Sequence, residues 1–149
     1  MSLTLAIALL LSTTPARAQT HWAVGVKSGS MLGLVGLAAE RETAGTAVGV
    51  NAGIEEGRQT VFFLGRRYSK LDPGNRPYVD VRLGVLRVEV GQSAEWIGLL
   101  AIGAGYEAPR VGPLRVTIEG GIGLQNLDPS FTPISRAGIF IGGSVRVGL

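Results

Sequence analysis

The charged residues that could act together in this chain stand singly among small and apolar neighbours. If the face of a strand that carries them is buried, each charge needs a partner of opposite sign on a neighbouring strand. Glu119, for example, can pair with Arg136 on the following segment or with cations near Arg115. We therefore predict an internal polar network. Its predicted members are Lys27, Glu55, Arg82, Arg115, Glu119, Arg136 and Arg146.

Nucleophilic catalysis would have to use the single histidine, His21. A histidine base must lie within hydrogen-bond reach of its nucleophile. Ser28 and Ser30 lie at the far end of the same predicted strand or beyond it, at about 3.3 Å per residue. His21 also stands at the edge of that strand, where chains fray. We expect no enzyme, and a lipid-modifying enzyme that uses His21 is the rival hypothesis.

Acidic pairs and glycine runs offer little for a metal ion or a nucleotide. Glu40 and Glu42 flank Arg41, and Glu55–Glu56 lies beside a turn, so both pairs are interpreted as solvated strand ends. The glycine runs at 103–105 and 120–123 lie inside predicted strands. No helix and no Lys-Ser/Thr follow them, as a phosphate-binding loop would require. We expect no cofactor and no metal site.

The composition favours strands and turns over helices. Glycine reaches 23 of 149 residues, hydrophobic residues make up 46% and charged residues 17%. Glycine is unfavourable inside helices, so this mixture with valine, isoleucine and leucine indicates sheet. There is no cysteine, which excludes disulfides and thiolate sites. The formal charge is +3, and no basic cluster in the sequence is interleaved with aromatic residues. We therefore expect no nucleic-acid partner.

The first residues have the pattern of an export leader. An apolar core runs from Leu3 to Leu11, and Ala16-Arg17-Ala18 supplies the small-x-small pattern at which signal peptidase cleaves. The apolar core is too short to span a bilayer as a helix. No Lys or Arg precedes it, which departs from the standard leader. We predict a signal peptide at 1–18 and a single β-barrel domain at 19–149.

The remainder divides into eight segments separated by turn-forming residues. The seventh and eighth show clear alternation between aliphatic and small or polar residues, as a sheet with one apolar face requires. The fifth changes phase midway, and we predict a bulge near Gly84–Leu86. The predicted strands are Trp22–Ser28, Leu32–Glu40, Thr46–Glu55, Thr60–Tyr68, Tyr78–Val90, Glu95–Glu107, Leu114–Asn126 and Arg136–Leu149.

Such alternation fits two opposite barrels. A soluble periplasmic barrel that binds an apolar ligand keeps the aliphatic face inside, whereas a membrane barrel turns it outward. The second face consists mainly of Gly, Ala and Ser with isolated charges, which favours the membrane barrel, since a water-facing surface carries more charge. Aromatic residues near strand ends predict an interfacial girdle. Its predicted members are Trp22, Tyr68, Tyr78, Trp96 and Tyr106.

With these features the chain resembles the small eight-stranded outer-membrane barrels, a group that includes the OmpA transmembrane domain and the opacity-type proteins. The resemblance implies an all-β fold, an eight-stranded antiparallel up-and-down transmembrane β-barrel in the outer membrane of a Gram-negative bacterium. It implies lipopolysaccharide and the outer-membrane assembly machinery as partners. The last strand ends in Leu149, where the group usually has an aromatic residue.

The connections between the predicted strands bear on function. Adhesins and receptors in this group resemble one another in their long external loops. With both termini on the periplasmic side, only the last of the external loops is longer than a tight turn; these loops lie near Ser28–Met31, Glu55–Gln59, Gly91–Ala94 and Leu127–Ser135. We therefore expect a structural, membrane-stabilising role, with a narrow conduit for small anions as the alternative. The sequence gives no indication of oligomeric state.

Overall fold

The computed structural model describes residues 20–29, 33–70, 74–126 and 136–149. The described chain forms strands joined by turns. The strands are β1 (Thr20–Gly29), β2 (Gly33–Thr43), β3 (Thr46–Glu55), β4 (Arg58–Tyr68), β5 (Arg76–Val90), β6 (Ser93–Glu107), β7 (Leu114–Asn126) and β8 (Arg136–Gly148). The predicted leader at 1–18, Ser30 and the longest predicted external loop at 127–135 lie outside the described residues.

Each strand pairs antiparallel with the next, and β8 pairs with β1, so the sheet closes on itself. The closing ladder runs from Ala23 opposite Gly148 to Gly29 opposite Gly142. Each of the described strands therefore has a paired neighbour on both sides. The predicted fold class, an all-β antiparallel eight-stranded up-and-down barrel, is confirmed.

Tight turns join several of the strands. Between β2 and β3, Ala44 and Gly45 both have positive φ angles, of 50° and 73°. Two successive residues of that conformation form the type I′ turn whose twist matches that of an antiparallel pair. β1 begins and β8 ends on the side of the barrel where this turn lies. We call this side the terminal end of the barrel and the opposite side the loop end.

The predicted bulge in the fifth strand was wrong. β5 pairs without any register shift with β4 and with β6. Leu86 points inward, in phase with Arg82, and packs with Phe62, Ile97 and Leu99 in an apolar cluster near the loop end. The aliphatic residues of β5 change phase because the inward positions hold charged residues up to Arg82 and an apolar residue, Leu86, nearer the loop end. A register shift occurs instead between β1 and β2, at Lys27–Gly29.

Outward and inward faces differ sharply in chemistry. Ile102, Ile118, Ile122, Ile139 and Ile141 are each at least 60% exposed on the outer surface. The inward positions hold buried charged residues, glycines and the apolar cluster. Among the described residues, outward-facing charges occur only near strand ends. These are Arg41, Arg67, Arg87 and Glu89.

No helix in the described part of the chain has the length and apolarity needed to cross a membrane.

Candidate functional site: the ion-paired interior

The inward faces of the strands bring together many buried ionisable side chains. Among the described residues, six cations and five carboxylates are buried. Burying a charge is costly unless it is paired and hydrogen-bonded. These groups are Lys27, Arg66, Arg76, Arg82, Arg115 and Arg146, with Glu40, Glu42, Asp80, Glu107 and Glu119.

Near the middle of the barrel, the ion pairs of this network meet at Glu119 on β7. Its Oε1 lies 2.7 Å from Lys27 Nζ and 2.9 Å from Arg82 Nη2. Its Oε2 lies 3.3 Å from Arg66 Nη2 and accepts a hydrogen bond of 3.1 Å from the Tyr78 hydroxyl. One carboxylate thus contacts cations from three strands, β1, β4 and β5.

Asp80 and Glu40 extend the network toward the terminal end. Arg82 donates two hydrogen bonds to Asp80, at 3.2 and 2.9 Å. Arg66 Nη2 lies 3.6 Å from Asp80, and its Nη1 donates to Glu40 at 3.0 Å. Arg146 on β8 also donates to Glu40. Arg66 therefore joins three carboxylates across the interior.

Glu42 and Glu107 form the part of the network at the terminal end. Arg76 bridges them, at 2.6 Å from Glu42 Oε1 and 2.5 Å from Glu107 Oε1. Arg115 donates to Glu42 at 2.8 Å. Arg110, from the turn between β6 and β7, contacts both carboxylates, at 3.2 and 3.3 Å. Since Arg146 contacts Glu107 as well, at 3.3 Å, the network is continuous from Lys27 to Arg110.

Aromatic rings support the guanidinium groups of this network. The Tyr68 and Tyr78 rings pack edge to face, with centroids 5.5 Å apart. The guanidinium of Arg76 lies 3.8 Å from the Tyr68 centroid, and that of Arg66 lies 4.0 Å from the Tyr78 centroid. Such cation–π contacts are stronger when water is excluded. The Tyr68 hydroxyl also donates to Glu107 at 3.0 Å, so each ring holds both a cation and an anion.

Inward glycines provide the room for these side chains. A Cβ at Gly105 would overlap the ring of Tyr78, and one at Gly103 would lie 2.7 Å from Asp80 and 2.8 Å from the ring of Phe140. Large side chains on one strand thus lie over glycines on its neighbour. This pairing accounts for part of the high glycine content.

Five of the residues predicted for the network lie in it, namely Lys27, Arg82, Arg115, Glu119 and Arg146. The prediction for Glu55 was wrong. Its side chain is 39% exposed at the end of β3, 3.8 Å from Arg58, where solvent reaches both. The side chain of Arg136 lies outside the described residues.

Sequence reasoning missed about half of the network, namely Glu40, Glu42, Arg66, Arg76, Asp80 and Glu107. Interpreting Glu40 and Glu42 as solvated strand ends was wrong, since they are 2% and 7% exposed. A signal was available in the spacing, because Glu40 and Glu42 have the same parity as the small inward residue Ala38. Arg66 and Arg67 are adjacent, and only the register decides which one faces inward.

Two members of the predicted girdle lie inside the barrel. Tyr68 and Tyr78 are 4% and 3% exposed, because they share the inward parity of Arg66 and Asp80. Their prediction as interfacial residues was wrong. Trp22 and Trp96 are 51% and 63% exposed on the outer surface, at opposite ends. Tyr106, half-buried, also faces outward and hydrogen-bonds Asn75.

Within the described ranges, no group of three or more His, Cys, Asp or Glu side chains is placed to hold a metal ion. The carboxylates of the interior are instead separated from one another by arginine and lysine. Their arrangement neutralises charge and fills space.

No family model matches the sequence, and no curated protein is significantly similar to it. One solved structure has the same fold, the N-terminal β-barrel domain of OprF from Pseudomonas aeruginosa. The two share 12% sequence identity and superpose with a TM-score of 0.66. The match covers 89% of this chain and 100% of that domain. At this identity the similarity shows a common barrel fold.

Proposed function

We propose that this chain is a small outer-membrane β-barrel with a structural, membrane-stabilising role, and that its lumen is closed by the ion-paired network. One observation carries the proposal: among the described residues most aliphatic side chains face outward, and most of the charged side chains in the strands face inward. A soluble barrel would have the opposite arrangement. The rival hypothesis of a periplasmic barrel with an apolar ligand inside conflicts with the charges buried there.

The dimensions of the outer surface support membrane insertion. Trp96 and Tyr106 face outward near opposite ends of β6, with only Gly98, Leu100, Ile102 and Ala104 outward between them. At about 3.3 Å per residue and a strand tilt of about 40°, the two rings lie about 25 Å apart along the barrel axis. That is about the height of the apolar band of outer-membrane barrels.

The interior supports a closed lumen. An eight-stranded barrel is just wide enough for its side chains to fill it. The single side chain of Arg66 contacts three carboxylates on three other strands, so the network crosses the lumen. These are Glu40, Asp80 and Glu119. Each buried charge would be costly if its partner moved away, which opposes opening. We therefore expect no wide pore.

A narrow conduit for small anions is the second candidate, because buried cations outnumber buried carboxylates among the described residues. A net positive lumen would select anions if it opened. The two candidates differ in single-channel recordings from planar bilayers. A structural barrel gives no defined conductance, whereas a conduit gives an anion-selective one.

The decisive experiment combines membrane fractionation with a charge placed on the outer surface. The parent protein is expected in outer-membrane fractions, with a band that shifts on boiling as closed barrels do. Ile102→Arg lies near the middle of the proposed apolar band and is expected to cost roughly 2–4 kcal/mol and to reduce the folded fraction. Gln59→Arg is the matched control at the loop end, where an outward arginine costs about 0–1 kcal/mol.

Recovery of the protein in the soluble periplasmic fraction would contradict membrane insertion. Equal tolerance of the two arginine substitutions would do the same. Lipopolysaccharide and the outer-membrane assembly machinery are the partners expected for a barrel in that membrane.

A further inference from the structure

The outer surface at the terminal end carries two arginines without acidic partners. Arg41 on β2 is exposed and lies opposite Trp22 on β1, with its guanidinium 6.0 Å from the indole centroid. Arg67 on β4 donates a hydrogen bond of 2.7 Å to Thr46 on β3. Among the described residues, no carboxylate lies within ion-pair distance of either guanidinium. Both therefore retain free donors at the surface.

These side chains are close enough to act on one ligand. Arg41 lies opposite Val48 on β3, which lies opposite Gly65 on β4, two residues before Arg67. Two strand spacings of about 4.8 Å and a two-residue offset put the two Cα atoms about 12 Å apart. Arginine side chains can approach a headgroup from both sides over that distance. Thr46 lies on β3 between their two strands and adds a hydroxyl group.

The loop end of the outer surface differs. There the outward-facing Arg87 donates to Glu89 at 2.9 Å and lies opposite Trp96. Both ends thus have an arginine beside an exposed tryptophan. Among the described residues, the arginine at the terminal end has no carboxylate partner, whereas the one at the loop end has Glu89.

We propose that Arg41 and Arg67 form a binding site for the phosphate of an anionic phospholipid, in the leaflet at the terminal end of the barrel. The inference rests on the proposed membrane location. An arginine fork matches the oxygens of a phosphate diester and gains most where water is scarce. Trp22 belongs at headgroup level and packs against the same lipid. The long stems of both arginines lie along the apolar surface and carry the charge to the headgroups.

Trp22 provides a native reporter for the test, because the chain has only two tryptophans. A Trp96→Phe protein is folded into vesicles of phosphatidylcholine and phosphatidylglycerol in which either lipid carries brominated acyl chains. Bromine quenches a tryptophan that it contacts. The ratio of quenching by the two brominated lipids gives the relative association constant at Trp22. Two electrostatic contacts predict a preference for phosphatidylglycerol of about tenfold, which falls with added salt.

The substitutions Arg41→Gln and Arg67→Gln together are expected to reduce the preference to about one. Arg87→Gln is the matched control and is expected to leave it unchanged. A Trp22→Phe protein, with Trp96 as reporter, is expected to show no preference. Gel migration before and after boiling verifies that each variant is folded.

The outcomes separate this inference from the proposed function. If neither brominated lipid quenches Trp22, the barrel is not in the bilayer and the proposed function fails. Equal quenching by both lipids means an embedded barrel without the phosphate site. A preference that survives the double substitution, or one that Arg87→Gln abolishes, also overturns the assignment to Arg41 and Arg67.

Discussion

Replacing Glu119 with glutamine is the most informative single perturbation of the interior. Glutamine keeps the size of the side chain and removes the charge that three cations share. Arg82 retains Asp80, and Arg66 retains both Asp80 and Glu40. Lys27 retains no carboxylate among the described residues. Since removing one partner of a buried pair costs about 3–5 kcal/mol, we expect Glu119→Gln to lower the free energy of unfolding by about that amount.

The complementary substitution removes Lys27, the cation that Glu119→Gln leaves without a carboxylate partner. Lys27→Met leaves Glu119 in contact with Arg82, Arg66 and the Tyr78 hydroxyl, so we expect a loss of less than about 2 kcal/mol. With both substitutions present, no ammonium is left buried without a partner. The double variant is therefore expected to be more stable than the sum of the single losses by about 1–3 kcal/mol.

Urea unfolding in lipid vesicles, followed by tryptophan fluorescence and by the gel shift of the folded band, measures these differences. Glu55→Gln is the control, because its exposed pair with Arg58 is expected to contribute at most about 1 kcal/mol. An unchanged unfolding midpoint for Glu119→Gln would refute the reasoning. Strict additivity of the two single losses would refute the specific coupling to Lys27.

The other predictions concern the glycines and the lumen. Gly105→Ala places a methyl group against the Tyr78 ring and is expected to cost about 1–3 kcal/mol in the same urea assay, whereas Gly98→Ala, with open space around its Cβ, is expected to be neutral. If Gly105→Ala is as stable as the parent, the close packing over that glycine is wrong. Simultaneous replacement of Arg66, Arg82 and Glu119 by alanine is expected to create a measurable conductance in planar bilayers, while Arg87→Ala on the outer surface is expected to create none. A silent triple variant would show that other side chains close the lumen.

The barrel was predictable from the sequence because its last strands are simple. In β7 and β8 every second residue is aliphatic apart from a few exceptions such as Gly120 and Gly143, so Glu119 and Arg146 are assigned to the inward face by parity alone. β5 breaks that rule, since Leu86 faces inward although it is aliphatic. An apolar cluster inside a barrel has the same sequence pattern as a bulge.

The composition of the network was less predictable than its existence. Tyr68 and Tyr78 stand near strand ends, where aromatic residues suit an interface as well as an interior. What decides their face is the register with Arg66 and Asp80, which depends on pairing across strands. Glu107 becomes recognisable as a partner of Arg76 and Arg146 only once the sheet is formed, because these two cations come from other strands. Asp80 has one cation, Arg82, on its own strand, but its contact with Arg66 also depends on pairing between strands.

The connectivity of the interior also constrains how the molecule can reach its final state. Arg146 on β8 pairs with Glu40 on β2, 106 residues away, and Lys27 on β1 pairs with Glu119 on β7. Pairs that cross the β1–β8 seam can form only when that seam is made. An open sheet in hydrocarbon would expose unpaired backbone groups and unneutralised guanidinium groups. For a barrel that lies in the membrane as proposed, insertion and closure must therefore be concerted, with the charged face kept hydrated until the last pair of strands meets.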